Sequence, residues 1–297
     1  MPADRAVLAF PEHPALARSL AGRLDLPCLE VEVHRFPDGE SRVRVPHPAP
    51  AEAILCRSLD RPNDKLVELL LCCRALREGG TRRITLVAPY LCYMRQDAAF
   101  RPGEAVSQRI VGRWLGSLVD RLVTVDPHLH RTARLEEAYP DTHCTTLTAA
   151  PLMAALLRSL PARPLLVAAP DEEAAPWARR VAELAGLPWV AGEKRRRGDR
   201  EVEVRLPPDL SPDQVAGRTV AVVDDIVSSG GTVAQAARAL RAAGAREVLC
   251  LVTHALPGTG SEALLREAGL AALWSTNSIP HPSNRIDLGG LLAEALG

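Results

Sequence analysis

The sequence predicts an α/β protein built from two similar units, and two patterns carry that expectation. Short β-branched and apolar runs alternate with Ala-, Leu- and Arg-rich stretches of helical period along the 297-residue chain. This alternation is typical of a parallel sheet flanked by helices. Two of the runs, ITLVAPY at 84–90 and PLLVAAPD at 164–171, end in Ala-Pro and precede a helix and then a strand that ends in acid. We therefore expect one domain over 1–145 and a second over 146–297.

The individual elements follow from the same alternation, with strands at the β-branched runs and helices at the stretches of helical period. The predicted strands are 6–10, 28–34, 53–57, 83–88, 121–125, 164–169, 219–223, 247–253 and 272–275. The predicted helices are 13–23, 63–78, 107–119, 151–159, 176–185, 233–243 and 260–268.

Composition excludes several classes of protein. The 36 basic and 36 acidic residues balance, so no overall charge attracts a nucleic acid or a membrane surface, and aromatics at 3% argue against a base-stacking surface. No stretch reaches 18 apolar residues, and the N-terminus lacks the pattern of a signal peptide. Seven scattered cysteines without a C-x-x-C pair indicate reduced thiols rather than disulfides or a zinc site. We expect a cytoplasmic protein with no membrane contact and no nucleic-acid partner.

One stretch, VAVVDDIVSSGGTVAQAARAL at 220–240, predicts a sugar-phosphate site. An apolar run ends in two adjacent carboxylates, which suit sugar hydroxyls together with a hydrated cation. The turn that follows can bind a phosphate through its backbone amides, its hydroxyls and the start of the next helix. The chain has neither of the common nucleotide motifs, G-x-x-x-x-G-K or G-x-G-x-x-G. The alternative to a binding site is a purely structural role, in which an Asp at the end of the strand caps the helix that follows. The residues of this expected site are Asp224, Asp225, Ser228, Ser229, Gly230, Gly231 and Thr232.

This stretch resembles the ribose-phosphate loop shared by type I phosphoribosyltransferases and the ribose-phosphate diphosphokinase (phosphoribosyl diphosphate synthetase) family, and other segments favour the diphosphokinases. The most specific is PYLCYMRQDAAFRPGEAVS at 89–107. The others, in chain order, are RFPDGE at 35–40, DRPNDKLVELL at 60–71, VTVDPHLHR at 123–131, APDEEA at 169–174, GEKRRRGDREVEV at 192–204 and TNSIPHPS at 276–283. The resemblance spans nearly the whole chain and leans toward the family's compact, archaeal-like branch.

The resemblance implies two type I phosphoribosyltransferase-like domains, an ATP side in the first and a ribose 5-phosphate side in the second. The implied reaction moves the diphosphoryl group of ATP to the 1-hydroxyl of ribose 5-phosphate, with Mg²⁺ as cofactor and a homo-oligomer, a dimer or larger, as the assembly. The residues carried over for ATP are Phe36, Asp38, Glu40, Arg95, Gln96 and Asp97. Asp171 joins the sugar site, Lys194, Arg196 and His128 are implied in catalysis, and His128 and Asp171 in metal binding.

Two departures from the family pattern keep alternatives open. Ser228-Ser229 stands where the family usually has Asp-Thr, and Glu172-Glu173-Ala174 stands where glycines commonly follow the Pro-Asp pair. A catalytically silent, synthetase-like subunit is therefore one alternative. A phosphoribosyltransferase is another, although it would leave 95–97 without a role. Read singly, Phe36 could be a core residue, His128 a structural one and the basic run at 194–197 a solvated loop.

Overall fold

Two parallel sheets form the scaffold of the protein in a computed structural model, which describes residues 4–129, 131–161, 165–197, 201–205 and 212–297. The chain divides into two compact units, 1–147 together with 288–297, and 148–287. The α/β class expected from the sequence is confirmed in both units.

The first unit is a six-stranded parallel sheet flanked by helices. Its strands run in the order β2-β1-β5-β6-β7-β8, and every neighbouring pair is parallel. A separate antiparallel hairpin, β3–β4, leaves the sheet after β2. The strands are β1 (Arg5–Ala9), β2 (Cys28–Glu30), β3 (Glu32–Arg35), β4 (Ser41–Arg44), β5 (Glu52–Cys56), β6 (Arg83–Val87), β7 (Arg121–Val125) and β8 (His143–Leu147). The first three helices are α1 (Pro14–Leu24), α2 (Pro62–Glu78) and α3 (Ser107–Gly116).

The second unit repeats this architecture. Its sheet has the order β10-β9-β13-β14-β15-β16, again parallel throughout, and the hairpin β11–β12 leaves it after β10. The strands are β9 (Leu165–Ala169), β10 (Trp189–Ala191), β11 (Glu193–Arg197), β12 (Glu201–Arg205), β13 (Thr219–Val227), β14 (Glu247–Ala255), β15 (Ala272–Thr276) and β16 (Asn284–Ile286). The helices are α4 (Ala150–Ser159), α5 (Ala175–Ala185), α6 (Gly231–Ala242) and α7 (Ser261–Glu267), and α8 (Gly289–Glu294) follows. Short 3-10 turns lie at Leu135–Glu137 and Pro212–Gln214.

The repeat extends to single hydrogen bonds. In the first unit the Val31 amide, between β2 and the hairpin, donates to the Ala9 carbonyl at the end of β1 at 2.9 Å. In the second unit the Gly192 amide donates to the Ala169 carbonyl at the same distance, 2.9 Å. Each hairpin therefore leaves its sheet from the same place, beside the carboxyl end of the unit's first strand.

A second matched pair of hydrogen-bonded contacts fixes the turn that precedes β6 in the first unit and β14 in the second. Arg77 Nη1 donates to the carbonyls of Thr81 and Arg82, four and five residues ahead, at 3.3 and 2.6 Å. Arg241 Nη1 makes the same two contacts in the second unit, both at 2.6 Å. The repeat thus aligns β5 with β13 and β6 with β14.

This alignment corrects the internal repeat that was predicted from the sequence. The segments 84–90 and 164–171 were expected to be equivalent, but they form β6 and β9, which hold different places in the two sheets. Both strands end in Ala-Pro because both exit at the carboxyl edge into a loop, not because they are copies. The true copies include 76–82 and 240–246, which share the pattern Leu-Arg-x-x-Gly-x-Arg.

The end of the chain also differs from the expected second domain, 146–297. Residues 288–297 pack with the first unit, where α8 lies against α1. In the second unit α4 lies against α5, the counterpart of α1. The helix that packs beside α1 in the first unit therefore comes from the far end of the chain. The sequence alone placed residues 288–297 in the second domain because they directly follow it.

Most predicted elements are present, and the differences are local. The predicted strand 28–34 is split at Val31 into β2 and β3, because the chain turns from the sheet into the hairpin. The predicted strand 219–223 continues to Val227, so both acids lie inside β13. Seven short strands and helices of the described chain are not among the predicted elements, namely β4, β8, β10, β11, β12, β16 and α8. Residue 164 of a predicted strand lies outside the described residues. No described helix has the length and apolar character to cross a membrane.

The packing of α8 can be tested with Leu292, whose side chain is fully buried in this helix. Leu292→Ala is expected to lower the free energy of unfolding by about 2–5 kcal/mol, because it removes buried methyl groups and leaves a cavity. Urea unfolding measures the loss. Glu294→Ala, at an exposed position of the same helix, is the matched control and should change stability by less than about 0.5 kcal/mol. Equal, small effects of both changes would show that α8 is not packed.

Candidate active site

The carboxyl edge of the second sheet gathers most of the residues expected to bind the sugar phosphate. Strand β9 lies between β10 and β13, so the ends of these three strands are neighbours. Asp171 follows β9 and is buried, and its Oδ1 accepts a hydrogen bond from the Ala174 amide at 3.1 Å. Asp224 and Asp225 lie near the end of β13. Carboxyl ends of parallel strands are where ligands bind in such sheets.

The three acids of this edge influence one another. Burial raises the pKa of Asp224 well above its usual range, and the carboxylates of Asp225 and Asp171 raise it further. The Asp225 amide donates to Asp224 Oδ1 at 2.8 Å, which favours the charged form but does not outweigh the other causes. A cation placed at these oxygens would favour the ionised form of Asp224, because its positive charge would offset the burial and the carboxylate repulsion that raise this pKa.

The phosphate loop, residues 228–232, joins β13 to α6. Gly230 has a φ of 76°, a left-handed conformation that glycine adopts without strain, and a side chain there would also meet Leu265 at 3.3 Å. Gly231 begins α6, and Ser229 is exposed at the turn. The loop thus presents backbone amides at the start of a twelve-residue helix, where an anion is favoured.

A neighbouring loop fixes the orientation of the phosphate loop. The Ser228 carbonyl accepts two hydrogen bonds, from the Gly258 amide at 3.0 Å and from the buried Ser261 hydroxyl at 2.9 Å. In a trans peptide the carbonyl and the next amide point in opposite directions. The Ser229 amide is therefore turned away from Ser261. Sequence reasoning did not single out Gly258 or Ser261, because only the fold brings their loop beside 228–232.

The second hairpin carries the residues expected in catalysis. It leaves the sheet at Gly192, directly beside the end of β9 and therefore near Asp171. The structure describes Lys194 and Arg196 by their backbone, where they pair with Val204 and Val202 in antiparallel register. Being two residues apart in one strand, they occupy the same face of the hairpin.

In the first unit, the loop after β6 is tied to the loop after β7. Asp97 is buried, and its carboxylate accepts hydrogen bonds from the amide and the Nη1 of Arg131, each at 3.0 Å. Burial would raise the pKa of Asp97, but these bonds from Arg131 outweigh it and lower that pKa. Asp97 was expected to contact ATP, which stays a prediction, and its bonds to Arg131 join the two loops. Neighbouring Arg95 is exposed, and the Gln96 side chain donates to the Ala98 carbonyl at 3.1 Å.

The tip of the first hairpin, residues 36–40, presents the other residues assigned to ATP. Phe36 is 40% exposed, so it is not a core residue, and its ring packs edge-on against His34 at 4.7 Å. Asp38 and Glu40 are exposed, and Gly39 makes the turn with a φ of 95°. In the sheet, β2 and β6 are three positions apart, or about 14 Å at the usual strand spacing. A nucleotide that contacts both groups would have to extend along this edge.

His128 lies in the loop after β7 and is half-buried. The preceding turn is set by Asp126, which is buried with a φ of 40° and whose amide donates to the Leu147 carbonyl at 2.9 Å. In the part of the chain that the structure describes, no three His, Cys, Asp or Glu side chains are arranged to hold a metal ion. The carboxylates of 171, 224 and 225 are nonetheless the hard oxygen donors that Mg²⁺ prefers, and Mg²⁺ commonly binds through one or two carboxylates and its own waters.

The loop after β5, at 60–66, is the first unit's counterpart of the phosphate loop and differs from it in chemistry. Lys65 Nζ donates to Asp60 Oδ1 at 2.6 Å and to the Ser58 carbonyl at 2.9 Å. Arg61, rather than a glycine, holds the left-handed position before α2, with a φ of 47°. This loop supplies its own anion in Asp60, whereas the loop of the second unit offers serines and glycines.

Comparison with known proteins matches two family models to the chain. The N-terminal domain of ribose phosphate pyrophosphokinase matches residues 6–118, and the phosphoribosyl transferase domain matches residues 139–264. These two models together span more than half of the chain.

Relatives and a solved structure agree with the family models. The chain is 37% identical to the ribose-phosphate pyrophosphokinase of Methanopyrus kandleri over 98% of both chains. It is 38% identical to that of Thermococcus kodakarensis over 88% of this chain and 89% of the relative. Both organisms are archaea, as the compact branch implied. The crystal structure of phosphoribosylpyrophosphate synthetase from Mycobacterium smegmatis superposes with a TM-score of 0.83 at 28% identity, covering 99% of this chain and 97% of the other. The chain belongs to the ribose-phosphate pyrophosphokinase family, also called ribose-phosphate diphosphokinases.

Proposed function

We propose that this protein transfers the diphosphoryl group of ATP to the 1-hydroxyl of ribose 5-phosphate, which gives phosphoribosyl diphosphate and AMP. The observation that carries the proposal is the edge of the second sheet, where Asp224 and Asp225 run directly into a phosphate loop at the start of α6. Carboxylates that can accept hydrogen bonds from sugar hydroxyls are therefore adjacent to backbone amides that can bind a phosphate. The names of the relatives agree with this acceptor and this donor.

The second unit would hold the acceptor. Asp224 and Asp225 accept hydrogen bonds from the ribose hydroxyls, which places the sugar beside the end of β13. The 5-phosphate lies against the amides and hydroxyls of Ser228, Ser229, Gly230, Gly231 and Thr232. The helix α6 contributes the positive end of its dipole to the same phosphate. Asp171 borders the sugar from the end of the adjacent strand.

The first unit would hold the donor. Phe36, at the tip of its hairpin, offers an exposed ring face to the adenine, and Asp38 and Glu40 lie within the same turn. Arg95 supplies a cation for the phosphates, and Gln96 follows it in the loop after β6. Asp97 is the next residue of this ATP-binding loop. Its carboxylate also binds Arg131 and so holds the loop that carries His128.

Diphosphoryl transfer requires positioning and charge neutralisation more than covalent help from the protein. The 1-hydroxyl attacks the β-phosphorus of ATP, the bond to the α-phosphate oxygen breaks, and AMP leaves with that oxygen. Lys194 and Arg196 would stabilise the charge on the transferring group, chiefly in the transition state. His128 borders the triphosphate.

The metal in this proposal is Mg²⁺, for which the family resemblance implies His128 and Asp171 as ligands, completed by water. When bound, it supplies positive charge to the phosphate oxygens. Asp171 fits the role as a hard oxygen donor, and its charge is one of the causes that raise the pKa of Asp224, so the two carboxyl groups interact. A histidine nitrogen is a softer donor than Mg²⁺ prefers, so the role of His128 rests on the family resemblance.

The same proposal includes a homo-oligomer in the cytoplasm, without a nucleic-acid partner. Exposed Val67 and Leu71 lie one turn apart on α2, and Ile110 is exposed on α3, which leaves apolar surface for a second copy to cover. All seven cysteines are unpaired thiols, and burial raises the pKa of several of them, including that of Cys72 and, to about 12, that of Cys56. Such thiols suit a reducing compartment.

The function is tested by incubating the pure protein with ATP, Mg²⁺ and ribose 5-phosphate and following AMP by chromatography. AMP is expected to form in equal amount with phosphoribosyl diphosphate and to depend on the sugar phosphate. A phosphoribosyltransferase or a catalytically silent subunit would release no AMP, and that result would refute the proposal.

Lys194→Ala is expected to lower kcat by about a hundredfold or more, with little change in ATP binding, because the cation acts mainly in the transition state. Steady-state kinetics and ATP titration measure the two effects. Arg195→Ala is the matched control, since it removes a positive charge from the adjacent position on the other face of β11. A nearly intact kcat for Lys194→Ala would show that the lysine is an ordinary solvated residue.

Asp225→Asn is expected to raise the KM for ribose 5-phosphate by about 10–100-fold, as loss of a charged hydrogen-bond acceptor does, with a much smaller effect on the KM for ATP. Initial rates with each substrate varied in turn give both constants. Asp213→Asn, an exposed change in the same unit, controls for loss of one negative charge. Equal effects of Asp225→Asn on both substrates would contradict a role at the sugar.

A further inference from the structure

A single buried carboxylate on α2, that of Glu68, holds both ends of the first hairpin's tip. Arg35 is the last residue of β3 and Ser41 the first of β4, and the two pair directly across the hairpin. Arg35 Nε and Ser41 Oγ each donate to Glu68 Oε1 at 3.0 Å. Glu68 therefore closes the neck from which residues 36–40 project.

Glu68 is itself fixed from the opposite side. Its side chain is fully buried, and its other oxygen, Oε2, is bound by Arg57, which is only 2% exposed. The Arg57 guanidinium also donates to the Lys65 carbonyl at 3.1 Å, binds Glu12 and lies 4.1 Å from the centre of the Phe10 ring. Because Arg57 follows β5 and Phe10 follows β1, Glu68 joins the hairpin rigidly to the edge of the sheet.

The neck is held by charge as well as by geometry. Burial alone would raise the pKa of Glu68, but the bonds from Arg57, Arg35 and Ser41 outweigh it and lower that pKa, so the carboxylate is ionised. Hydrogen bonds to an ionised, buried acceptor are roughly twice as strong as neutral ones. Asp64 adds a second contact to Arg35 at 3.4 Å, but both of those side chains are more than half exposed, so this pair contributes little.

The tip depends on its neck for orientation. Among the described residues its hydrogen bonds are internal, from the Phe36 amide to the Glu40 carbonyl at 2.8 Å and from the Gly39 amide to the Phe36 carbonyl at 3.0 Å. The Glu40 amide donates to Asp38 Oδ1 at 3.1 Å. These bonds shape the turn but do not attach it to the sheet, whereas Glu68 does.

We propose that Glu68 is a positioning residue for the nucleotide: it fixes the direction of the hairpin tip so that Phe36, Asp38 and Glu40 meet the purine end of ATP. This proposal rests on the proposed function, since it takes ATP to be the ligand of the tip. Glu68 does not touch the substrate and acts through Arg35 and Ser41.

The test is Glu68→Gln, which keeps the size of the side chain. Its amide has one oxygen, so either Arg57 or the Arg35 and Ser41 pair must lose its acceptor. The KM for ATP should rise about tenfold or more, as expected for loss of charge-assisted bonds, while kcat and the KM for ribose 5-phosphate stay within about twofold. A purely structural role would instead lower kcat or leave all three constants unchanged, and either result would overturn the proposal.

Ser41→Ala keeps the proposal testable if Glu68→Gln does not fold. It removes one of the two bonds at the neck and should raise the KM for ATP by a smaller factor than Glu68→Gln. Glu32→Gln is the matched control, because Glu32 pairs with Arg44 at the far end of the same hairpin at 3.3 Å and is exposed. A rise in the KM for ATP with Glu32→Gln equal to that with Ser41→Ala would contradict a specific role of the neck.

Direct titration of each protein with ATP separates failure of this proposal from failure of the proposed function. Wild-type protein that binds ATP but forms no AMP would refute the diphosphokinase activity alone, and weaker ATP binding by Glu68→Gln would then still support the positioning role. Unchanged ATP binding by the variant would refute that role, whatever the activity of the wild type.

Discussion

Parallel strand pairing is the constraint on which the rest of this structure depends. Every neighbouring pair in both six-stranded sheets is parallel, so each sheet has one edge at which all its strands end. Each crossover must return the chain to the opposite edge, which leaves the loops after the strands at the carboxyl edge. Asp171, the acids of β13 and the phosphate loop share one edge for this reason. So do the hairpin, the loop after β6 and the loop after β7 in the first unit.

The two units show how one scaffold supports different chemistry. Hydrogen bonds donated by the amides of Val31 and Gly192 mark the start of a hairpin at the same point in each unit. The first hairpin nevertheless carries an exposed phenylalanine at its tip, whereas the second carries Lys194 and three arginines at 195–197. The loops after β5 and β13 diverge further. Lys65 is neutralised by Asp60 within the first loop, so that loop has less charge to offer an incoming phosphate. The second loop has no acid between 228 and 232, so it carries no negative charge that would oppose an anion.

The sequence was sufficient where the chemistry is local. The acids of β13 and the phosphate loop lie within nine consecutive residues, 224–232, so their spacing could be read directly. The strand and helix alternation was equally clear, because buried parallel strands are continuous apolar runs. Short elements such as β10 and β16, of three residues each, were missed because so few residues establish no period. Residues 288–297 were included in the second domain because they follow it in sequence, whereas α8 packs against α1 at the other end of the chain.

The contacts that position the site were beyond sequence reasoning for a different reason. Asp97 and Arg131 are 34 residues apart, and Glu68 is 33 residues from Arg35 and 27 from Ser41. Each of these residues has an ordinary local setting, a charged position in a loop or on a helix, where exposure to solvent is the usual outcome. Only the fold buries Glu68 and Asp97 and gives each an arginine. Their pKa values are lowered by those partners, not by anything in the adjacent sequence.

The two serines at 228 and 229 were the clearest departure from the family pattern, and the structure gives a reason why the loop can accept them. What orients the loop is the Ser228 carbonyl, held by Gly258 and Ser261, and the left-handed turn at Gly230. The Ser228 carbonyl and the turn at Gly230 are both features of the backbone, and neither requires an Asp-Thr pair at 228 and 229. A carboxylate at 228 would add a negative charge to the loop that we propose binds a phosphate, and close to Asp224, whose pKa is already raised by its neighbours. Serine supplies a hydroxyl donor without that charge, so the loop keeps its backbone geometry and carries one negative charge fewer than it would with an Asp at 228.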